Sequence, residues 1–194
     1  MNFLAHLHLA RPDRGSQVGA ILGDFVRGTP EVLARTLPAD IVDGIRLHRA
    51  IDRWTDTHPA FLDAKTLLPT DQRRFAGITL DLIFDHFLSR DWATFSDVLL
   101  PSFCEQSYDL LEKSHQHLPR DLQALLPRMR RENWLLAYRT EPDLERSLLR
   151  TSHRRPYLAP LAHVFPSFQQ NRAALHRHFL DLYPDLQDRA AAFR

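Results

Sequence analysis

The sequence is poor in several features that would define its class at once. Its 194 residues include one cysteine, Cys104, so no disulfide can form within the chain. Only six glycines occur, and none belongs to a Gly-rich phosphate loop or a dinucleotide fingerprint. No apolar run is long enough to span a membrane, and no basic segment precedes an apolar one as in a signal peptide. These absences predict a cytoplasmic protein without a membrane partner.

The charge is also close to balance. Lysine and arginine total 25 against 24 acidic residues, which gives a net charge of +1. A dedicated nucleic-acid-binding protein is usually strongly basic, so no nucleic-acid partner is expected. The hydrophobic fraction of 44% is typical of a globular protein with a real core. The length suits one domain, residues 1–194.

Strand patterns are nearly missing, because short alternations of β-branched residues do not occur. Apolar residues recur at helical spacing instead, in segments separated by proline. The predicted helices cover residues 16–27, 30–37, 40–55, 61–68, 77–88, 102–117, 122–138, 144–150 and 168–183. We therefore predict an all-α, single-domain bundle of roughly eight to ten helices.

The predicted helix 77–88 carries charge inside an apolar run. Asp81 and Asp85 are four residues apart and project from one face, with His86 adjoining. Burying isolated carboxylates is costly, and two side by side repel each other. A cation between them, arginine partners or exposure to water would each resolve the conflict.

A second polar pair, His48 and Asp52, has the same spacing in the predicted helix 40–55. Asp24 lies beside an apolar stripe, directly after Gly23, and Gly19 and Gly23 would let another element approach closely. A mixed histidine and carboxylate set without cysteine suits Mn²⁺, Fe, Zn²⁺ or Mg²⁺. The alternative is surface ion pairs with nearby arginines.

Six other histidines form pairs two residues apart, and residues with this spacing point to nearly opposite sides of a helix. Such a pair cannot chelate one ion, so structural roles are expected for the four later ones. His6 and His8 could chelate one ion only in an extended segment, and the role of His6 stays open. The later pairs are His115/His117 and His176/His178.

Two basic clusters stand out in the second half of the chain. They are either solvated faces or docking patches for an acidic partner. The first consists of Arg128, Arg130 and Arg131, and the second of Arg150, His153, Arg154 and Arg155.

Four segments in the first half resemble motifs of the acyl carrier protein phosphodiesterase family, in the family order. They are residues 2–6 (NFLAH), 23–28 (GDFVRG), 44–52 (GIRLHRAID) with Thr55 and Asp56, and 79–88 (TLDLIFDHFL) with Trp92. Residues 152–156 (SHRRP) resemble a further family segment. Any one of these motifs is weak, but four in register are specific.

The resemblance implies an enzyme that hydrolyses the phosphodiester between 4′-phosphopantetheine and a serine of holo acyl carrier protein. It also implies an all-α fold related to the HD-domain phosphohydrolases and a preference for Mn²⁺, with Mg²⁺ or Fe²⁺ as alternatives. Two other functional interpretations stay open. One is a metal phosphohydrolase acting on a small phosphodiester or nucleotide, and the other is a non-catalytic helical module that binds the carrier.

The family motifs also suggest the site residues. The order Asp85-His86 is the reverse of the usual His-Asp pair of HD domains, so the ligands cannot be copied from that superfamily. Asp52 or His86 is expected to act as general base or to orient a ligand, and Arg27 or Arg49 to stabilise phosphate charge. The expected metal ligands are Asp24, His48, Asp81, Asp85 and His86. The expected catalytic residues are Asp24, Asp52, His86, Arg27 and Arg49.

Overall fold

The structure is a computed structural model that describes residues 1–193. Its regular structure is entirely helical over this range, which confirms the predicted all-α class. The α-helices are α1 (Phe3–Leu9), α2 (Arg14–Leu22), α3 (Pro30–Leu33), α4 (Ala39–Thr57), α5 (Pro59–Thr66), α6 (Ala76–Arg90), α7 (Leu100–Lys113), α8 (Arg120–Arg131), α9 (Glu141–Ser152) and α10 (Phe165–Ala192). Short 3₁₀ turns occur at Arg73–Phe75, Trp92–Thr94, His115–His117 and Pro156–His163.

Helix α6 is the centre of the bundle. Leu80, Ile83, Phe84 and Phe87 have no exposed surface. Phe84 packs against aromatic rings of α5 and α10, with 5.7 Å between the ring centroids of Phe84 and Phe179. Helices from both halves of the chain therefore close around α6, as its apolar sequence requires.

Helices α2 and α4 pack with their backbones in contact. A Cβ atom added to Gly19 would lie 2.3 Å from the carbonyl oxygen of Ile41 and 2.6 Å from the Cα of Gly44. Only glycine fits this crossing, so the close approach expected at Gly19 is confirmed. The contact fixes α2 against α4, which carries His48.

Helix α2 differs from the prediction at both ends. Asp13 caps it by accepting a hydrogen bond from the Ser16 backbone N–H at 2.8 Å. The Ser16 hydroxyl instead accepts from the Arg11 backbone N–H. The helix ends at Leu22, and the following residues form a turn rather than continuing to Arg27.

Helix α8 ends at Arg131, seven residues before the predicted end at residue 138. Asn133 has a φ of 44°, in the left-handed region that asparagine tolerates better than most residues. The backbone N–H of Trp134 then turns back to the carbonyl of Met129 at 2.9 Å. This reversal places Trp134 in the wall of a large cleft.

No helix in the described range is long and apolar enough to cross a membrane.

Candidate metal centre

Three side chains from α1 and α4 converge on one point. His6, His48 and Asp52 each offer a ligand atom, and these atoms lie within 4.8 Å of one another. The two carboxylate oxygens of Asp52 lie 3.1 Å from His6 Nε2 and 3.2 Å from His48 Nε2. The two imidazole rings stack with their centroids 3.8 Å apart. This set can hold a metal ion.

The tautomer of His48 suits a metal ligand. Its Nδ1 donates a hydrogen bond to the carbonyl oxygen of Ala20 at 2.8 Å. In the neutral ring, Nε2 then carries a lone pair directed at Asp52 and, at 3.6 Å, at Asp24. A lone pair facing two carboxylates is unfavourable unless a proton or a metal ion lies between them.

His6 Nε2 is in a similar position. It lies 3.1 Å from the carbonyl oxygen of Met1 and 3.1 Å from Asp52, and both partners only accept hydrogen bonds. His6 is almost completely buried, and its Nδ1 has no partner within the described residues. Both rings therefore direct Nε2 toward the Asp52 carboxylate.

The pKa shifts place the favoured positive charge at His48 and not at His6. Burial would lower the pKa of His48, but its hydrogen bonds to Asp24 and Asp52 raise that pKa to about 9. Burial and the adjacent His48 lower the pKa of His6 to about 4. Burial would raise the pKa of Asp52, yet hydrogen bonds from His48 and His6 hold it well below its ordinary value. The centre thus holds a carboxylate and one extra positive charge, which a metal ion can replace.

Gly23 makes room for the His48 ring. A Cβ atom at this position would lie 2.1 Å from His48 Cδ2 and 2.2 Å from Cγ. Any larger residue would therefore displace the imidazole. Gly23 also directly precedes Asp24, so one turn positions the carboxylate and clears space for its histidine partner.

Asp81 and Asp85 organise the beginning of α1, where His6 is located. Asp85 accepts hydrogen bonds from the backbone N–H groups of Leu4 and Ala5 at 3.0 and 3.3 Å. Asp81 lies 2.8 Å from the Met1 nitrogen, which is also 3.6 Å from Asp52. Burial raises the pKa of Asp85 to about 7 and also raises that of Asp81.

His86 lies apart from the cluster. Its Nδ1 donates to the carbonyl oxygen of Tyr138 at 2.7 Å. Its ring packs against Phe87 and Phe168, with centroids 5.5 and 5.6 Å away. Among the described residues, its buried Nε2 has no partner.

The two arginines expected to contact phosphate are also separate from these three ligand atoms. Arg27 is exposed. Arg49 donates to the carbonyl oxygens of Gly28 and Val26 at 2.6 and 3.3 Å. Arg49 thereby fixes the turn that follows Asp24.

A large cleft of about 1140 Å³ opens beside this centre. Phe3 and Phe25 line it on the side of the cluster, and Phe25 follows Asp24 in the chain. Trp134, Arg150 and Arg154 also line it. Asp24, the neighbour of Phe25 in the chain, is exposed.

Comparison with known proteins agrees with the motifs. The family model described as acyl carrier protein phosphodiesterase matches residues 1–186. The chain belongs to the acyl carrier protein phosphodiesterase family. A relative of that name from Photorhabdus laumondii is 39% identical over 194 residues, covering 98% of this chain and 95% of the relative. Relatives of the same name from Yersinia pestis and Escherichia coli O157:H7 are each 39% identical, covering 98% of this chain and 97% and 98% of the relatives. No solved structure matches the chain.

Membership of the acyl carrier protein phosphodiesterase family confirms the predicted enzyme class, a phosphodiester hydrolase. The contacts in the structure disagree with the alternative that the acidic residues form surface ion pairs with arginines.

Four carboxylates of the predicted site pair with no lysine or arginine side chain in the part of the chain that the structure describes. Their partners are histidines, backbone N–H groups and the Met1 nitrogen. These carboxylates are Asp24, Asp52, Asp81 and Asp85.

His6 is the ligand candidate that sequence reasoning left open. It lies in a helix, and His8 points away, with its Nδ1 2.7 Å from the Tyr183 hydroxyl. The geometric argument against joint chelation by His6 and His8 therefore agrees with the structure. The signal for His6 alone was the family motif at residues 2–6, where it is the only histidine.

Proposed function

We propose that this protein hydrolyses the phosphodiester that joins 4′-phosphopantetheine to the serine of holo acyl carrier protein. Water adds to phosphorus, the bond between phosphorus and the serine oxygen breaks, and that oxygen takes up a proton. The products are the apo carrier and the phosphomonoester 4′-phosphopantetheine. The main support is the cluster of His6, His48 and Asp52 beside a large cleft, in a chain of this family.

The donor set fits a divalent transition metal. Two imidazole nitrogens and one carboxylate, without a thiolate, suit Mn²⁺ or Fe²⁺ and also bind Zn²⁺, whereas Mg²⁺ prefers all-oxygen sites. We propose Mn²⁺ as the working ion. When bound, such an ion supplies Lewis acidity for phosphoryl transfer and lowers the pKa of water.

The chain's own groups then have separate tasks. His6, His48 and Asp52 would hold the ion, and the Ala20 carbonyl keeps His48 in the tautomer that can bind it. Asp24 is exposed, directly precedes Phe25 of the cleft lining, and lies only 3.6 Å from His48 Nε2. It is therefore placed to accept the proton of the attacking water.

Asp81 and Asp85 would act by positioning α1. Their contacts hold the backbone at residues 1–5, one turn before His6. That Asp81, Asp85 and His86 bind metal directly stays a prediction, as do the phosphate contacts of Arg27 and Arg49. His86 is held 2.7 Å from the Tyr138 carbonyl, which supports a structural role for it.

The carrier protein would dock at the rim of the cleft. Arginines outnumber acidic residues there, and complementary charge mainly accelerates the encounter with an acidic partner. Arg139 and Arg146 line this rim. Of the two basic clusters in the sequence, the first is partly neutralised, since Arg130 pairs with Glu105, Asp109 and Glu112.

The test is intact-protein mass spectrometry of holo acyl carrier protein incubated with the enzyme and Mn²⁺. The expected result is loss of the 4′-phosphopantetheine mass, blocked by a chelator and by His48→Gln. His58→Gln is the matched control, because His58 forms a similar pair with Asp185 at 3.2 Å elsewhere on the surface.

A folded, Mn²⁺-loaded enzyme that leaves the holo carrier intact would overturn the assigned substrate. Turnover of a small phosphodiester in the same sample would then identify a general metal phosphohydrolase. Binding of the carrier without any turnover would instead indicate a non-catalytic module.

A further inference from the structure

Three guanidinium groups surround one buried tryptophan in the cleft. The Cζ atoms of Arg150, Arg154 and Arg128 lie 4.4, 5.6 and 5.9 Å from the Trp134 ring. Trp134 is only 4% exposed. Each cation gains from the ring face, but three like charges around one ring also repel each other.

The fold supplies a counter-charge to only one of these arginines. Glu132 accepts hydrogen bonds from Arg128 Nε at 2.9 Å and from Trp134 Nε1 at 2.8 Å. Within residues 1–193, neither Arg150 nor Arg154 forms an ion pair with a carboxylate. The cleft therefore contains two cations without an anionic partner from the described protein.

The lack of an acceptor is clearest at Arg150. Its Nη2 has one long contact, 3.4 Å from the Ser147 hydroxyl. Its Nε is buried and has no partner in the described range. Buried N–H donors are almost always satisfied, so this one indicates a missing acceptor. A guanidinium presents its N–H groups in a planar fork that matches the oxygens of a phosphate.

The position of the pair connects it with the metal centre. Phe3 and Phe25 line the same cleft, and Asp24 precedes Phe25. The Asp24 carboxylate is among the charged groups near enough to Arg154 to interact with it electrostatically. An anion on these arginines would lie in the cleft that Phe3 and Phe25 also line.

We propose that Arg150 and Arg154, stacked on Trp134, bind the phosphoryl group of pantetheine-linked phosphates. This inference rests on the proposed function. The group would be the phosphodiester of the substrate and, after cleavage, the phosphomonoester of released 4′-phosphopantetheine. Apolar side chains of the cleft, among them Leu136 and Leu149, would cover the pantetheine arm.

A phosphate is favoured over carboxylates of the carrier protein because the unsatisfied donor is buried. Arg150 is half-buried and its Nε has almost no accessible surface. A small anion on a flexible arm can enter the cleft and bind the part of the Arg150 side chain that lines it. Acidic side chains on the surface of a docked protein would contact the exposed Arg154 first.

The test is isothermal titration calorimetry of the chelator-treated, full-length protein with inorganic phosphate and with 4′-phosphopantetheine. We expect both to bind, with 4′-phosphopantetheine tighter because of its apolar arm. Arg150→Gln and Arg154→Gln should each weaken binding about tenfold, the loss of one charged hydrogen bond. Arg130→Gln is the matched control and should change nothing, because three carboxylates already neutralise Arg130.

Several results would overturn the proposal. Phosphate that does not bind, or binds equally to all variants, removes the anion site. Equal affinity for inorganic phosphate and 4′-phosphopantetheine removes the pantetheine assignment. A higher KM for the carrier in Arg154→Gln without any phosphate binding assigns the pair to carrier carboxylates. Thermal melts show whether Arg150→Gln is folded, and the exposed Arg154 keeps the test informative if it is not.

The failure of this proposal can be told apart from failure of the proposed function. Phosphate binding needs no turnover and no metal. A protein that removes the prosthetic group yet does not bind phosphate at Arg150 and Arg154 would retain its function and refute the site. A protein that binds 4′-phosphopantetheine there but never releases it from the carrier would retain the site and refute the function.

Discussion

The metal centre and the arginine–tryptophan site have opposite charge deficits. The centre combines carboxylates with imidazole lone pairs and has no lysine or arginine among its described partners. The other site combines guanidinium groups with one carboxylate, Glu132. One side needs a cation and the other needs an anion. A divalent ion and a phosphate ester would satisfy both.

A third group of charges shows what an internally balanced site looks like. Arg130 meets Glu105, Asp109 and Glu112 on the surface between α7 and α8. There, the protein supplies more anionic partners than the cation requires. The comparison indicates that the local charge balance, rather than the number of charged residues, distinguishes a ligand site from a structural network.

The largest expected effect is on the metal centre itself. Asp52→Asn removes the carboxylate that contacts both histidines. Loss of groups that merely orient ligands costs about 10- to 100-fold, so loss of a ligand should reduce turnover by more than about 100-fold. The amount of bound metal, measured by inductively coupled plasma mass spectrometry, should fall in parallel. Asp185→Asn, in the similar pair with His58, is the control.

Normal metal content and turnover in Asp52→Asn would contradict the proposed centre. The deficit of positive charge would then have to be satisfied by protonated His48 alone.

The next prediction tests whether the metal centre needs the space that Gly23 leaves for the His48 ring as well as its charged groups. Gly23→Ala would place a Cβ atom 2.1 Å from the His48 ring and should weaken metal binding about 10-fold or more. Gly77→Ala is the matched control, since a Cβ atom there meets nothing within 4 Å. Gly77 lies in the first turn of α6, so this change should alter the unfolding free energy by less than about 1 kcal/mol. Metal titrations and thermal melts of both variants separate the two outcomes.

If Gly23→Ala binds metal as the parent does, the position of the His48 ring is not critical for the centre. The hypothesis of a preorganised histidine would then be wrong.

The sequence allowed prediction of the parts of the centre that come from single helices. His48 and Asp52 share a face of α4 because they are four residues apart, and Asp81 and Asp85 share a face of α6 for the same reason. The same helical geometry explains why His86 does not share the face of Asp81 and Asp85. Adjacent residues on a helix are about 100° apart, so His86 contacts Phe168 and not the neighbours of Asp85.

Other parts depend on contacts that no local pattern encodes. Helix α1 has only seven residues, too few for a clear periodicity, so His6 could be inferred only from the family motif. The cleft depends on the left-handed conformation of Asn133, which follows the end of α8. No glycine or proline next to Asn133 predicts that the helix ends there. The sequence shows Arg150 and Arg154 as one basic cluster, but only tertiary structure places them on Trp134.

A smaller effect concerns the positioning of α1. Asp85→Ala would leave the buried N–H groups of Leu4 and Ala5 without their acceptor. The expected cost is about 1–3 kcal/mol of unfolding free energy, measured by urea denaturation. Asp63→Ala, at an exposed position of α5, should stay within about 0.5 kcal/mol. Equal stability of both variants would show that Asp85 does not secure α1.

The smallest expected effect concerns His86, a buried histidine that belongs to neither site. Burial lowers its pKa in the folded protein, although the hydrogen bond to the Tyr138 carbonyl opposes this. The unfolded chain therefore binds the proton first as the pH falls. This contribution to stability is complete above about pH 6.5 and is lost progressively below it, down to the lowered pKa.

His86→Asn keeps a donor for the Tyr138 carbonyl but removes the titration. The unfolding free energy of this variant should fall less steeply between pH 6.5 and 5 than that of the parent, whereas the exposed His115→Asn should follow the parent. Denaturant titrations at several pH values measure both slopes. Metal content should stay at the parent level, because His86 is directed at Tyr138 and Phe168. If metal is lost instead, His86 is a ligand after all, and the charge deficit extends further along α6 than the His6, His48 and Asp52 contacts indicate.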